Sequence, residues 1–220
     1  MLITRPLPSR VLQRLRDRAA LMLPGFKTTA REIALRNQHF AQATLAISGK
    51  QVFVDAQKDA ARIRFLSEMR SLDLRVIHLV RDVRGGVASY MKHDPGSDAK
   101  TAARRWLRAN IATDRAKAYI EPDRWLRIRY DELCSDYQNT VHRIADFIGV
   151  TRATVSEDFG DTEHHIVGNT MRRGRRRGIT MDESWKTRLT AEDLEAIRRV
   201  GGKANRFFGF DWPQTNKAAN

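Results

Sequence analysis

Residues 75–91, Arg75-Val-Ile-His-Leu-Val-Arg-Asp-Val-Arg-Gly-Gly-Val-Ala-Ser-Tyr-Met91, constrain the fold more than any other stretch of the chain. The run from Val76 to Val80 is apolar and mostly β-branched, with the length of a buried strand in a parallel sheet. Arg81-Asp82 stops it. Val83, Val87 and Met91 then recur every four residues, the spacing of one helical face. A strand that turns into a helix at a charged dipeptide is the repeating unit of open α/β sheets. Ligands of such sheets bind beyond the carboxyl ends of the strands.

The flanking sequence repeats the alternation. Gln51-Val-Phe-Val-Asp55 reads as a short strand, followed by a helix carrying Ile63, Leu66 and Met69. Residues 98–118 read as a long helix with Ala102, Trp106 and Ala109 on one face. Trp125-Leu-Arg-Ile-Arg-Tyr130 alternates like a strand. Tyr137, Val141, Ile144 and Ile148 follow at helical spacing, with Ser135 as N-cap and Gly149 as the stop. Strands alternating with helices imply an α/β fold, a parallel sheet with flanking helices. Thr190-Ala-Glu-Asp193 has capping-box spacing ahead of a last helix bearing Leu194 and Ile197. Phe207-Phe208-Gly209-Phe210 is expected to tuck back on the core.

The ends differ from the middle. Residues 1–25 are Arg-rich, and Val11, Leu12, Leu15 and Ala19 suggest an amphipathic helix ended by Pro24-Gly25. It lacks the continuous apolar centre of a secretory signal, and reads as a surface helix although transit peptides share its composition. Residues 28–47 read as a second helix, capped by Thr28 or Thr29, with Ile33, Phe40 and Leu45; His39 lies on it as a half-buried surface histidine. The expected organisation is therefore a helical N-terminal segment over 1–48, a single α/β domain over 49–212 and a loose tail over 213–220.

Charge narrows the partners. Forty Lys and Arg against 26 Asp and Glu give a net charge of +14, which attracts polyanions and speeds their capture. Nucleic acid, an acidic membrane surface and a multiply phosphorylated nucleotide all qualify. No apolar run approaches the roughly 18 residues of a membrane helix. The lone Cys134 rules out an internal disulfide and suits a reducing cytoplasm. His164 and His165 lack metal-ligand spacing with each other or with Cys134, so no metal site is expected. His78, inside the central strand, reads as a packed histidine.

Arg81 at a strand tip and Ser89 in the following helix are within reach of one anion. The guanidinium offers a planar fork of donors and the serine a hydroxyl. The same spacing also fits a pair of surface groups that only end the strand and face water. Lys58, after Asp55-Ala-Gln, could neutralise charge on a leaving oxygen, with Asp55 as a proton acceptor; a plain surface turn is the other reading. Arg172-Arg173-Gly174-Arg175-Arg176-Arg177-Gly178 crowds like charges that an anion would reconcile, or that a solvated loop would spread apart.

The stretch Val-Ile-His-Leu-Val-Arg-Asp-Val-Arg-Gly-Gly-Val-Ala-Ser resembles the 3′-phosphate-binding segment of sulfotransferases that use 3′-phosphoadenosine 5′-phosphosulfate (PAPS). Three further stretches are similar to segments of that family in the same order. Asp55-Ala-Gln-Lys58 resembles the Asp-Ser-Ser-Lys of a bacterial subfamily, differing at the two inner positions. Arg129-Tyr130-Asp131-Glu132-Leu133 resembles a segment whose tyrosine lies near adenine, with its acids transposed. Residues 164–189, including Trp185-Lys186, resemble the C-terminal segment with its basic-Gly loop. The resemblance implies the phosphate-loop type of α/β fold and PAPS as donor, with no metal. It implies Arg81, Ser89, Arg172, Arg173 and Gly174 on the 3′-phosphate, Tyr130 beside adenine, and Lys58 and Asp55 in catalytic roles.

One family element has no counterpart. Residues 1–54 contain no Arg/Lys-Ser-Gly-Thr-Thr loop to cradle the 5′-phosphosulfate with backbone amides and a helix N-terminus. The resemblance spans about residues 50–210, and the expectation is a domain without its first βα unit, a truncated or donor-site-deficient relative with impaired transfer. The expected reaction moves a sulfuryl group from PAPS to a hydroxyl or amine of a small molecule or glycan. The rival from charge alone is a non-catalytic protein binding nucleic acid or another polyanion. A phosphate-loop kinase needs Gly-x-x-x-x-Gly-Lys-Ser/Thr, which is also absent.

Overall fold

The structure, a computed structural model, describes residues 19, 24–67, 69, 72–152 and 179–212. Apart from Ala19, the N-terminal amphipathic helix lies outside the described residues, as do the histidine pair, the arginine loop with Arg172, Arg173 and Gly174, and the tail. The chain divides into two units, one of residues 1–74 and 115–122, the other of 75–114 and 123–220.

The first unit is helical. Helix α1, Pro24–Ser48, covers the second helix read from the N-terminal sequence, and α2 is Ala60–Ser67. The expected strand 51–55 is not formed; residues 52–59 have no regular structure. Val52, Phe53 and Val54 have strand propensity, but a strand persists only when a neighbouring backbone takes its N–H and C=O groups. No described strand pairs with this stretch, and Val54 is 78% exposed. Instead Asp55 accepts from the backbone N–H of Gln57 at 3.0 Å and from Arg62 Nε at 2.7 Å, closing a turn. Arg62 also reaches Asn37 of α1 at 2.9 Å, and Phe40 meets Phe53 edge to face at 5.8 Å.

The second unit carries the sheet. Strands β1, Val76–Val80, and β2, Trp125–Arg129, pair in parallel, with Val76 opposite Trp125 and Val80 opposite Arg129. Parallel strands need a long crossover. It is made by α3, Val83–His93, and α4, Ala99–Ala116, of which residues up to 114 belong to this unit. After β2 come α5, Tyr130–Ser135, and α6, Tyr137–Ile148. Gly149 ends α6 at φ 73°, a left-handed conformation that favours glycine. Asp136 rather than Ser135 occupies the N-cap of α6, because α5 runs through Ser135. The C-terminal part adds α7, Trp185–Arg188, and α8, Ala191–Phe207.

Val80, Val83, Val87, Ala102, Ala103, Trp106, Ile197 and Phe208 form the core between the sheet and helices α3, α4 and α8. Each buried valine or isoleucine contributes about 1.5–3 kcal/mol relative to solvent. His78 is buried with them, Nε2 at 3.2 Å from Asn110 Oδ1 and its ring edge-on to Trp125 and Phe208. Burial holds its pKa below the ordinary histidine value. β1 is not buried on both faces as its composition suggests: Val76, His78 and Val80 are covered, while Ile77 and Leu79 are 39% and 50% exposed. Among the described residues no helix is long and apolar enough to cross a membrane.

Candidate anion site at the sheet edge

The parallel register brings two residues of the site together. Because Val80 lies opposite Arg129, Arg81 and Tyr130 follow their strands at the same carboxyl edge. The Arg81 guanidinium carbon stands 4.6 Å above the Tyr130 ring, a cation–π contact. Burial raises the Tyr130 hydroxyl above its ordinary pKa. Its oxygen lies 3.3 Å from the backbone N–H of Asp182, which donates to it.

Two adjacent glycines let helix α3 approach these groups. A Cβ on Gly85 would stand 2.5 Å from Arg81 Nε, and one on Gly86 would stand 2.5 Å from Trp106 Cδ1. Glycine inside a helix costs about 0.8–1.0 kcal/mol relative to alanine. Both positions have a packing reason for it. Gly85 gives the guanidinium room to lie against the helix, and Gly86 admits the indole whose Nε1 donates to the Arg81 carbonyl at 3.0 Å. Ser89 is four residues beyond Gly85 and half-buried, so it follows on the same helical face that Arg81 covers. The helix itself starts with Asp82 as N-cap, accepting from the Arg84 N–H at 2.7 Å.

Asp182 occupies the other side of Arg81. Arg81 Nη2 donates to its backbone carbonyl at 2.6 Å, and its carboxylate lies 3.2 Å from the same nitrogen. Hydrogen bonding from Ser184, with a further contribution from Arg81, holds the Asp182 carboxyl down at about 2. An aspartate 101 positions away in sequence thus already supplies an anion to the guanidinium. Sequence reasoning missed it, since nothing local marks Asp182 as a partner of the strand tip. It also missed Gly85, whose signal was legible as a Gly-Gly pair inside an otherwise helical pattern.

The neighbouring arginine is fully engaged. Arg84 makes a bidentate pair with Asp82, at 2.8 and 2.6 Å, and stacks between Trp185 at 4.4 Å and Trp212 at 5.0 Å. Trp185 therefore helps fix the start of α3. Lys186 pairs with Glu183 at 2.6 Å on the surface.

Asp55 and Lys58 belong to the first unit. Both carboxylate oxygens of Asp55 are taken by Gln57 and Arg62, and Lys58 is exposed. Among the described residues no group of His, Cys, Asp and Glu side chains could hold a metal ion.

Comparison with known proteins bears on the family and the fold. No curated protein matches the chain. Among solved structures, the Sulfotransferase Domain from the Curacin Biosynthetic Pathway is similar in fold, with a TM-score of 0.51 at 18% identity. The match covers 71% of this chain and 60% of that one, so the chain spans less than two thirds of that structure. A sequence profile of the Sulfotransferase family matches residues 10–154. That span begins inside the N-terminal helical segment, upstream of the stretches that carried the resemblance, and ends before the arginine loop. It includes β1, the Gly85-Gly86 helix and β2, and with it the chain belongs to the sulfotransferase family.

Proposed function

We propose that the chain binds the nucleotide of PAPS and serves transfer of its sulfuryl group to a hydroxyl or amine of a small-molecule or glycan acceptor. The observation that carries this reading is the Arg81 guanidinium at the carboxyl edge of β1, lying against Gly85 with Ser89 one turn further along. A doubly charged phosphate suits that arrangement, since a guanidinium binds two oxygens at once and the serine hydroxyl adds a third donor. The space above Gly85 is one that a Cβ would fill, as expected where a ligand-binding side chain must lie close to a helix backbone.

In this reading Arg81 and Ser89 hold the 3′-phosphate, and Arg172, Arg173 and Gly174 close over it. The Tyr130 ring packs beside adenine with its other face against Arg81. Lys58 offsets charge near the transferred group. Asp55 is the proposed proton acceptor, and to act it must give up its contacts with Gln57 and Arg62. Sulfuryl transfer forms a bond from the acceptor oxygen or nitrogen to sulfur as the bond from sulfur to the 5′-phosphate oxygen breaks, in line. The acceptor's proton leaves to the base, and adenosine 3′,5′-bisphosphate departs. The lone Cys134 favours a cytoplasmic setting for this chemistry.

Calorimetric titration with adenosine 3′,5′-bisphosphate tests the reading. Wild type is expected to bind, and Arg81→Ala to weaken binding by about tenfold or more, the scale of one lost charge-assisted contact. Equal affinity in the two proteins overturns the assignment. So does binding to nucleic acid with steep salt dependence that the bisphosphate leaves unaffected.

A further inference from the structure

The second unit holds a cleft that the donor site does not use. It lies at the far end of α3 from Arg81, where the chain leaves the helix and starts α4. Its volume is about 460 Å³, and Asp94, Ser97, Thr101, Arg104, Arg105 and Arg108 line it. Clefts of roughly 300–1,000 Å³ are the size that small-molecule ligands occupy.

The charges there are unbalanced. Three guanidinium groups face one carboxylate in the lining. Arg105 Nη1 is paired with Asp94 at 2.9 Å, and its guanidinium carbon lies 5.8 Å from the Tyr90 ring centroid. The side chains of Arg104 and Arg108 make no hydrogen bond or salt bridge with any described residue, although the Arg104 charge, after the hydrogen bonding from Thr101, helps lower the pKa of nearby Asp98. They sit one turn apart on α4, a spacing at which like charges repel. Both are exposed, so their stems are free to bring the forks together on one anionic group. Asp98, beside them, is committed to the start of α4, where its Oδ1 accepts from the Thr101 N–H at 2.6 Å.

The rest of the lining is of a different kind. Ser97 and Thr101 offer hydroxyls that donate and accept, and the Asp94 carboxylate only accepts. A bare inorganic anion would gain from the arginines and be repelled by Asp94. A ligand with an anionic ester at one end and hydroxyls at the other would satisfy both. We propose that this cleft binds a phosphate or sulfate ester of a sugar or similar polyol, with the ester on Arg104 and Arg108 and the hydroxyls toward Asp94, Ser97 and Thr101. None of these residues belongs to the donor site, so the proposal stands apart from the PAPS reading.

Titration with glucose 6-phosphate and glucose 6-sulfate, followed by amide chemical shifts, tests it. One or both esters are expected to shift amides of residues 94–108, and whichever binds identifies the ester. The double variant Arg104→Gln/Arg108→Gln is expected to lose about tenfold or more in affinity, while the exposed control Lys203→Gln is unchanged. Far-ultraviolet circular dichroism establishes that both variants are folded, and retained binding of adenosine 3′,5′-bisphosphate by the double variant separates this site from the other. The proposal is overturned if neither ester shifts residues 94–108, if the double variant binds as wild type does, or if Lys203→Gln loses as much. Inorganic phosphate binding as tightly as the sugar ester overturns the assignment of a hydroxyl-bearing ligand.

Discussion

Gly85 decides what Arg81 can do. Its missing Cβ leaves the space that Arg81 Nε occupies, and any side chain there must push the guanidinium off the helix. Displacing Arg81 forfeits its contacts with Asp182 and Tyr130, which offsets the roughly 0.5–1 kcal/mol that alanine adds to the helix. Gly85→Ala is expected to change stability by less than about 1 kcal/mol and to weaken adenosine 3′,5′-bisphosphate binding by about tenfold or more. Thermal denaturation and calorimetry read the two effects independently. Coincident loss of both would show that Gly85 is needed for packing alone. Asp182 poses the complementary question from the other side of Arg81. Its depressed pKa makes its contacts stabilising above the unfolded value of 3.8, and that contribution is lost as pH falls through about 2. Carbon-detected titration of the carboxyl should find its midpoint near 2 in wild type. In Arg81→Ala the midpoint is expected to rise yet stay below 3.8, because the larger cause is the hydrogen bond with Ser184. No rise in that variant would mean that the two groups are not paired in solution.

At the scale of elements, one buried side chain of α8 hydrogen-bonds the start of α3. Asn205 is fully buried; its Oδ1 accepts from the Val83 N–H at 2.9 Å, and its Nδ2 donates to Asp82 Oδ2 at 3.2 Å. The first amides of a helix have no partner within it, so Asn205 satisfies a donor that would otherwise be buried unpaired. Close packing beside it is unforgiving, since a Cβ on Gly201 would stand 2.8 Å from Val83 Cγ2. Asn205→Ala is expected to cost about 1–3 kcal/mol in urea denaturation, because the Val83 amide is left without an acceptor. A loss below about 0.5 kcal/mol would show that water replaces the amide. The capping box at the other end of α8 was readable from Thr190-Ala-Glu-Asp193, and both of its bonds form, with Asp193 N–H donating to Thr190 Oγ1 at 3.1 Å. A cap involves residues three positions apart and is therefore written in the sequence. The Asn205 bridge joins residues 122 positions apart and left no local trace.

For the molecule as a whole, the sequence determined the local alternation. β1, β2, α3, α4 and α8 stand where periodicity and caps put them, because each is set by groups within a turn or two of one another; α1 and α6 form as well, but α1 starts at Pro24 rather than at Thr28 or Thr29, and α6 is capped by Asp136 rather than Ser135. The strand tip bearing Arg81 and the helix bearing Ser89 were legible for the same reason. Only the tertiary structure decided which strands exist and what faces each charge. Residues 51–55 have strand composition but pair with no described strand, and composition cannot supply a neighbouring backbone. Ile77 and Leu79 are as apolar as Val76 and Val80, yet layers packed on one side of β1 leave them exposed. Tyr130 meets Arg81 because the parallel register aligns the ends of two strands, and Asp182 meets it because the C-terminal segment folds back across that edge. Periodicity acts through bonds along the chain, whereas pairing, burial and ion contacts depend on which distant segment arrives, and that is fixed only when the whole chain packs.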